Sequence, residues 1–464
     1  MNKSNNNTSG LRKDLQNRHV QLIAIGGAIG TGLFMGSGRA ISLAGPSILL
    51  VYALIGAALF IFMRCMGELF LAFPGAGTFS DIVGGQLGRW AGIAVSWTYW
   101  LCWIVCGIAD VIAITGYFWF WWPDLSPWIP FVGVTIALFL LNVVTVKAFG
   151  ELEFWFSMIK IVAIGALIVT GLIMVATAHE NPNGTHSAVS NLWNYGGIFP
   201  NGFAGFCRGF QIAIFAFVGI ELVGATVAET ANPAHTLPRA INSVPVRILL
   251  FYIGALTVIM MVNPWNTIDP EVSPFVTMYT QVGLPAAASI VNLVVITSAM
   301  SSANSGIYST SRMLYGLANQ GQAPGIFARL SHHGVPVNAL ASSCLFLLSG
   351  IVLMAMGDSV SRAFEFVTTM ASMLFMFVWS MVVISYLRYA VKYPKLRAAS
   401  TFPVPGGRVS AVAALVFFGL MVVLLGYFEE TRIGLVLAGL WVIGICGFTL
   451  LRERRGRKQL GTRN

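Results

Sequence analysis

The chain has 464 residues, of which 56% are hydrophobic and only 9% charged, with a formal net charge of +10. Soluble domains carry about 25% charged residues, which excludes a water-facing enzyme, a nucleic-acid-binding protein and a disordered scaffold. Apolar runs of about 18 residues or more recur along the whole length, the pattern of an all-α membrane protein.

Residues 1–19 are polar and lack a cleavable-signal pattern, and the first apolar stretch is already long enough to span a bilayer. About twelve spans are predicted, over 20–41, 45–64, 90–121, 128–146, 153–177, 204–228, 244–262, 283–316, 337–356, 362–389, 409–428 and 433–451. Trp119, Trp121, Trp122 and Trp128 gather after the third span as an aromatic belt at one membrane face. The polar loop 179–201 is rich in Asn and Gly, and residues 452–464 form a basic tail. Lys and Arg fall in the N-tail, the even-to-odd loops and the C-tail; the exceptions are Arg39, Arg208, Arg362 and Arg432 on the other side and Lys160 within a helix. By the positive-inside rule this places both termini in the cytoplasm.

The first and sixth spans are unlike the rest. Span one reads IAIGGAIGTGLFMGSG, with Gly26, Gly27, Gly30 and Gly32 in the middle of a helix. Gly26 and Gly30 also make a GxxxG pair, so close helix packing is the rival to a break. Span six reads FAFVGIELVG, interrupted by Gly219, Glu221 and Gly224. Two interrupted helices five spans apart point to two five-helix repeats, with a transporter site at the midplane between them.

A broken helix offers amide N–H groups on one side and carbonyls on the other. The first suit a carboxylate and the second an ammonium, so one break can hold an amino acid zwitterion. Span one offers donors at Ala28, Ile29, Gly30, Thr31 and Gly32 and carbonyls at Ala24 and Ile25, and span six offers carbonyls at Phe215, Ala216 and Phe217. Phe215, at the break, is placed to cover a bound substrate.

Ionisable residues inside a membrane are functional candidates by default, and here they are Asp110, Lys160, Glu221, Glu229 and Glu365. Lys160 lies seven residues beyond Glu153, about 10 Å along a helix, too deep to snorkel easily. It could trade a proton during transport, stand as a fixed cation in place of sodium, or belong to a structural ion pair. Glu221 follows the break and should bond nearby backbone or polar groups or serve as a gate. Asp110 should line a route or pair with a polar neighbour, whereas Glu229 and Glu365 sit near helix ends where water reaches them. Span eight carries TSAMSSANSGIYSTSR, a wet or helix-packing face.

The cysteines lie mostly in apolar segments and suit packing, including Cys102 and Cys106 on one helix face. No HExxH, GxSxG or P-loop pattern occurs, so no enzyme, metal or cofactor is expected.

The chain resembles the amino acid permeases of the amino acid–polyamine–organocation superfamily, in their bacterial amino acid transporter branch. The likeness runs from Asn17 to about Arg452. It rests on NRHVQLIAIGGAIGTGLF, MGEL at Met66–Leu69, EFWFSMIKIVAI around Lys160, FAFVGIELVGATVAET and TSRMLYGLA. It implies a LeuT-like five-plus-five inverted repeat with broken helices 1 and 6, alternating access and proton symport in a bacterial inner membrane. Repeat one would cover about 20–177 and repeat two about 204–389, with two extra helices over 409–451. Gly27 to Thr31 would hold the substrate carboxylate, Phe215 would act as a gate, and Lys160 would link spans one and eight. A finer likeness, carried by GIADVIAIT and AETANPAHTLPRAINSVPVRI, lies with members that handle glycine, D-alanine and D-serine. Many relatives place Glu in span three, where this chain has Asp110. The rival readings are a permease of the same fold for an L-amino acid and an amino acid sensor that does not transport.

Overall fold

The computed structural model describes residues 29–143, 146–182, 184–222, 233–281, 285–332, 334–356 and 359–461. Chain order begins with α1 (Thr31–Phe34), α2 (Gly36–Ala44), α3 (Ile48–Ala72), α4 (Phe79–Leu87), α5 (Arg89–Phe118), α6 (Trp128–Val143), α7 (Val146–Ala176) and α8 (Gly202–Ala213). There follow α9 (Pro233–Asn242), α10 (Val244–Arg247), α11 (Ala255–Val262), α12 (Pro274–Gln281), α13 (Pro285–Asn319), α14 (Val337–Leu347) and α15 (Gly350–Met356). The last four are α16 (Val360–Lys392), α17 (Pro394–Ala398), α18 (Gly407–Tyr427) and α19 (Glu429–Gly461). Among the described residues the one β contact is an isolated bridge between Glu180 and His186.

Nine helical stretches among the described residues are long and apolar enough to cross a bilayer, and Trp128–Val143 and Gly202–Phe217 are shorter apolar helices. A helix closes its backbone hydrogen bonds within itself, which is what lipid demands. The outer surface agrees. Val162, Val169 and Ile173 on α7, Val409, Val416 and Val423 on α18 and Ile433, Leu440 and Ile443 on α19 are all exposed. So large an apolar surface is untenable in water and is the natural face toward lipid.

The centre is built on α5, where every residue from Cys102 to Thr115 is buried. It packs against α13 on one side and α16 on the other. Cys65, Cys102 and Cys106 are free and buried in this interior. Trp122 and Trp128 are exposed just past the end of α5, while Trp119 Nε1 donates to Leu125 O at 2.8 Å and Trp121 Nε1 to Ser289 Oγ at 3.3 Å.

Two loops are anchored by side chains. In the loop after α7, Asn191 Nδ2 donates to Met261 O and Asn181 Nδ2 to Val262 O, both at 2.9 Å. These amides satisfy carbonyls that the end of α11 would otherwise leave open. At the end of α3, Arg64 donates to Asn242 Oδ1 at 3.0 Å and to Pro403 O, and its guanidinium lies 3.6 Å from the centre of the Phe402 ring. One turn on, Glu68 Oε2 accepts from Val404 N at 2.9 Å.

Among the differences from the sequence reading are two boundaries and one burial. The span expected over 153–177 starts at Val146, so Glu153 lies inside a helix and not at its mouth. The final helix continues to Gly461, beyond the expected start of the tail at 452. Arg452 there donates to Gln322 Oε1 at 3.0 Å, and Glu453 Oε2 accepts from Trp90 N at 3.1 Å. Glu365, expected to be solvated, is buried and faces Arg39 of α2 at 3.7 Å.

Candidate functional site

Span one enters the described residues at a helix start. Ile29 lies outside any helix, Gly30 is extended (φ −131°, ψ −161°), and α1 begins at Thr31. Leu33 and Phe34 are the first amides to turn back, both onto Gly30 O, at 3.2 and 3.4 Å. The amides of Thr31 and Gly32 precede that first bond, so the helix itself supplies them no acceptor. Ala24, Ile25, Gly27 and Ala28, expected to complete this part of the site, lie outside the described residues, as does Glu229.

Span six breaks within the described residues. Helix α8 ends at Ala213 and tightens into a 3-10 turn over Phe215–Phe217. Val218 then turns extended (ψ 140°) and Gly219 takes φ 97°. A β-carbon disfavours that φ, and glycine has none. The three carbonyls of the turn each accept one bond already: Phe215 O from Val218 N at 3.1 Å, Phe217 O from Ile220 N at 3.3 Å, and Ala216 O from Tyr252 Oη at 2.9 Å. A carbonyl has two lone pairs, so each keeps one acceptor position. Tyr252 is itself held by stacking on Phe217, with ring centres 5.0 Å apart and planes 7° apart.

The start of α1 touches the break in span six. A β-carbon on Gly32 would stand 2.6 Å from Ala216 Cα and 2.8 Å from Ala216 N. Only a residue without a side chain allows the two backbones to approach this closely. Gly30 is roomier, since a β-carbon there would meet Ser302 Oγ at 3.5 Å. Phe215 packs edge-on against Phe364 of α16, with ring centres 5.9 Å apart.

Buried polar groups surround this junction. Thr31 Oγ1 donates to Asp110 Oδ1 at 2.6 Å, joining α1 to α5. Ser302 stands beside the same carboxylate. Ser298 Oγ donates to Ile29 O at 3.2 Å, which ties α13 to the start of span one. Lys160, fully buried on α7, donates from Nζ to Ser301 Oγ at 3.1 Å and feels the charges of both Glu153 and Asp110. Glu221 folds back on the break, accepting from Gly219 N at 3.2 Å and from Tyr99 Oη at 3.3 Å.

Two participants were not singled out as chemistry in the sequence. Tyr252 has no local signal, because its partner Ala216 lies 36 positions away. Glu153 had one: it precedes Lys160 by seven residues, two helical turns, and so shares its face. It is 1% exposed and accepts from Ser301 Oγ at 2.8 Å and Asn304 Nδ2 at 3.4 Å.

Next to the α1–α2 joint lies a cavity of about 540 Å³, lined by Met35, Tyr117, Trp119 and Glu271 among others. A second, of about 230 Å³, shares Met35 and Glu271 with it and reaches Arg39, Arg362 and Glu365.

The sequence pattern of the amino acid permease family matches residues 19–460. A D-serine/D-alanine/glycine transporter from Escherichia coli strain K12 is 54% identical over 446 residues, covering 96% of this chain and 95% of the relative. An amino-acid permease from Bacillus subtilis is 45% identical, covering 97% of this chain and 96% of the relative. A DL-alanine permease from Lactococcus lactis is 41% identical, with 95% and 96% covered.

Proposed function

This chain belongs to the amino acid permease family, and we propose that within it the protein is a secondary active importer of glycine, D-alanine and D-serine, driven by proton symport. About twelve spans form a five-plus-five inverted repeat of the LeuT-like kind. One bundle rocks against the other around a central site, which gives alternating access. The protein sits in a bacterial inner membrane with both termini in the cytoplasm, a placement supported by the Lys and Arg asymmetry of its loops.

The observation that carries this reading is the backbone contact at Gly32 and Ala216 between the start of α1 and the break in span six. Around such a junction, amides from Gly27 to Thr31 receive the substrate carboxylate. Carbonyls of Ala24, Ile25 and Phe215–Phe217 receive the ammonium, and Phe215 closes over it. Backbone groups do the recognition, so a substrate of glycine's size needs no charged side chain. The tight walls favour small substrates by excluding bulk. One methyl separates glycine from alanine, so strong discrimination between those two is not expected. The cavities beside Met35 form the outer approach. Asp110, Lys160 and Glu221 carry coupling and gating. The substrate assignment is supported by the E. coli and L. lactis relatives.

The test is uptake of labelled D-alanine into liposomes holding the purified protein, with and without an inward proton gradient. Gradient-driven accumulation, competed by glycine and D-serine, is the expected result. Competition by an L-amino acid instead would move the specificity, and binding with no accumulation would mark a sensor.

A further inference from the structure

Lys160, Ser301 and Glu153 form a hydrogen-bonded chain that ends on a carboxylate acceptor. Lys160 Nζ donates to Ser301 Oγ at 3.1 Å, and Ser301 Oγ donates to Glu153 Oε2 at 2.8 Å. All three residues are buried. The other carboxylate oxygen is fixed separately: Asn304 Nδ2 donates to Glu153 Oε1 at 3.4 Å, and Asn142 Nδ2 donates to Asn304 Oδ1 at 2.7 Å. Oε2 is the oxygen that Ser301 reaches.

From this geometry we infer that Glu153 is the proton station on the far side of Lys160, reached through the Ser301 hydroxyl. This rests on the proton-symport reading above. The step balances. Lys160 Nζ gives a proton to Ser301 Oγ while the proton already on Ser301 Oγ passes to Glu153 Oε2. The serine ends neutral with its hydroxyl reversed, Lys160 becomes an amine, and Glu153 becomes a carboxylic acid. A buried ammonium and a buried carboxylate are discharged together, and no ion needs to leave its place. Both charges are expensive in this setting and both neutral forms are cheap, so the two states suit opposite halves of a transport cycle.

The groups facing Glu153 are few. Lys160 shares its helix, Ser301, Asn304 and Ser305 face it from α13, and Asn142 of α6 stands behind Asn304. Asp110 acts on the same lysine from α5. Among the described residues Glu153 thus faces one cation directly, and Asp110 beyond Lys160 is the carboxylate that competes for that cation.

The test uses the full-length protein in liposomes, with wild type, Glu153→Gln, Glu153→Asp and Ser301→Ala compared in gradient-driven accumulation and in substrate exchange. Glu153→Gln and Ser301→Ala should lower driven accumulation at least tenfold and exchange less than threefold, and Glu153→Asp should recover part of the loss. Loss of both activities in equal measure would overturn the inference in favour of a packing role. A wild-type protein that exchanges substrate but never responds to a proton gradient would overturn the symport reading and this inference with it. Wild-type accumulation that Glu153→Gln leaves intact would overturn the inference alone. Infrared difference spectra between acid and alkaline pH give a second readout that does not depend on transport. They should contain a carboxylic-acid carbonyl band that disappears in Glu153→Gln; spectra identical in the two proteins would also overturn the inference.

Discussion

Thr31 and Asp110, 79 positions apart, meet at 2.6 Å inside the protein, and this single bond ties the first turn of α1 to the most buried helix of the fold. It sits one residue from Gly32, where the start of α1 touches the break in span six. A movement of α1 would thus be felt at the Asp110 carboxylate. Oδ2 of that carboxylate has no hydrogen-bond partner among the described residues.

Thr31→Val keeps the shape and removes the donor. A hydrogen bond to a charged group contributes about 1.5–3 kcal/mol, so the purified protein should melt at lower temperature and transport more slowly. Asp110→Asn keeps an acceptor for Thr31 and should melt close to wild type, yet lose gradient-driven accumulation. If Asp110→Asn accumulates substrate as wild type does, Asp110 has no part in coupling.

Gly32→Ala and Gly30→Ala should behave very differently although they are two residues apart. The β-carbon at position 32 would meet backbone atoms of Ala216 at 2.6 and 2.8 Å, which cannot rotate away. At position 30 it would meet, among the described residues, only the Ser302 side chain, at ordinary contact distance. Gly32→Ala should lose transport at least tenfold at normal membrane levels, and Gly30→Ala should stay within a few-fold. Equal tolerance of both would contradict the contact between spans one and six.

Tyr252→Phe keeps the ring stacked on Phe217 and removes the hydroxyl that binds Ala216 O. A typical hydrogen bond contributes about 1 kcal/mol, so a small fall in melting temperature is expected. The freed carbonyl belongs to the proposed ammonium site, so the KM for D-alanine should change more than the maximal rate. A KM equal to wild type would detach Tyr252 from the site.

Lys160→Met leaves Glu153 buried without its cation, a situation that costs about 3–5 kcal/mol when one partner of a buried pair is removed. Adding Glu153→Gln removes the stranded charge. The double variant should therefore survive heating longer than Lys160→Met alone, a coupling visible in a double-mutant cycle. Simple additivity would show that the two residues do not act as a pair.

Arg64→Lys should loosen the segment around Phe402 and Pro403. A lysine carries one point charge and cannot reproduce the fork that reaches Asn242 and Pro403 while lying on the Phe402 ring. Faster hydrogen exchange over residues 400–405 is the expected signature, with unchanged exchange in α5 as the control.

The sequence by itself determined that the chain is a bundle of membrane helices, because twenty apolar residues in a row have one stable conformation in lipid. It also located the interruption in span six, because the glycine signal is local: Gly219 takes its positive φ where the sequence places it. The amino acid permease signature was likewise legible, being written in contiguous segments. Span boundaries were less so. Glu153 looked like the mouth of a helix because a carboxylate usually marks water, and the seven helical residues that precede it from Val146 hid its depth.

Tertiary structure alone decided which polar groups meet. Asp110 could have bonded any of several neighbours; the rotation of α5 about its axis turns it toward Thr31. The serines of span eight all looked alike, yet Ser298 faces Ile29, Ser301 lies between Lys160 and Glu153, and Ser302 faces Gly30 and Asp110. Successive helical positions point about 100° apart. Where each hydroxyl points is therefore set by how α13 is wedged between α5 and α7, a property of packing among segments far apart in the chain.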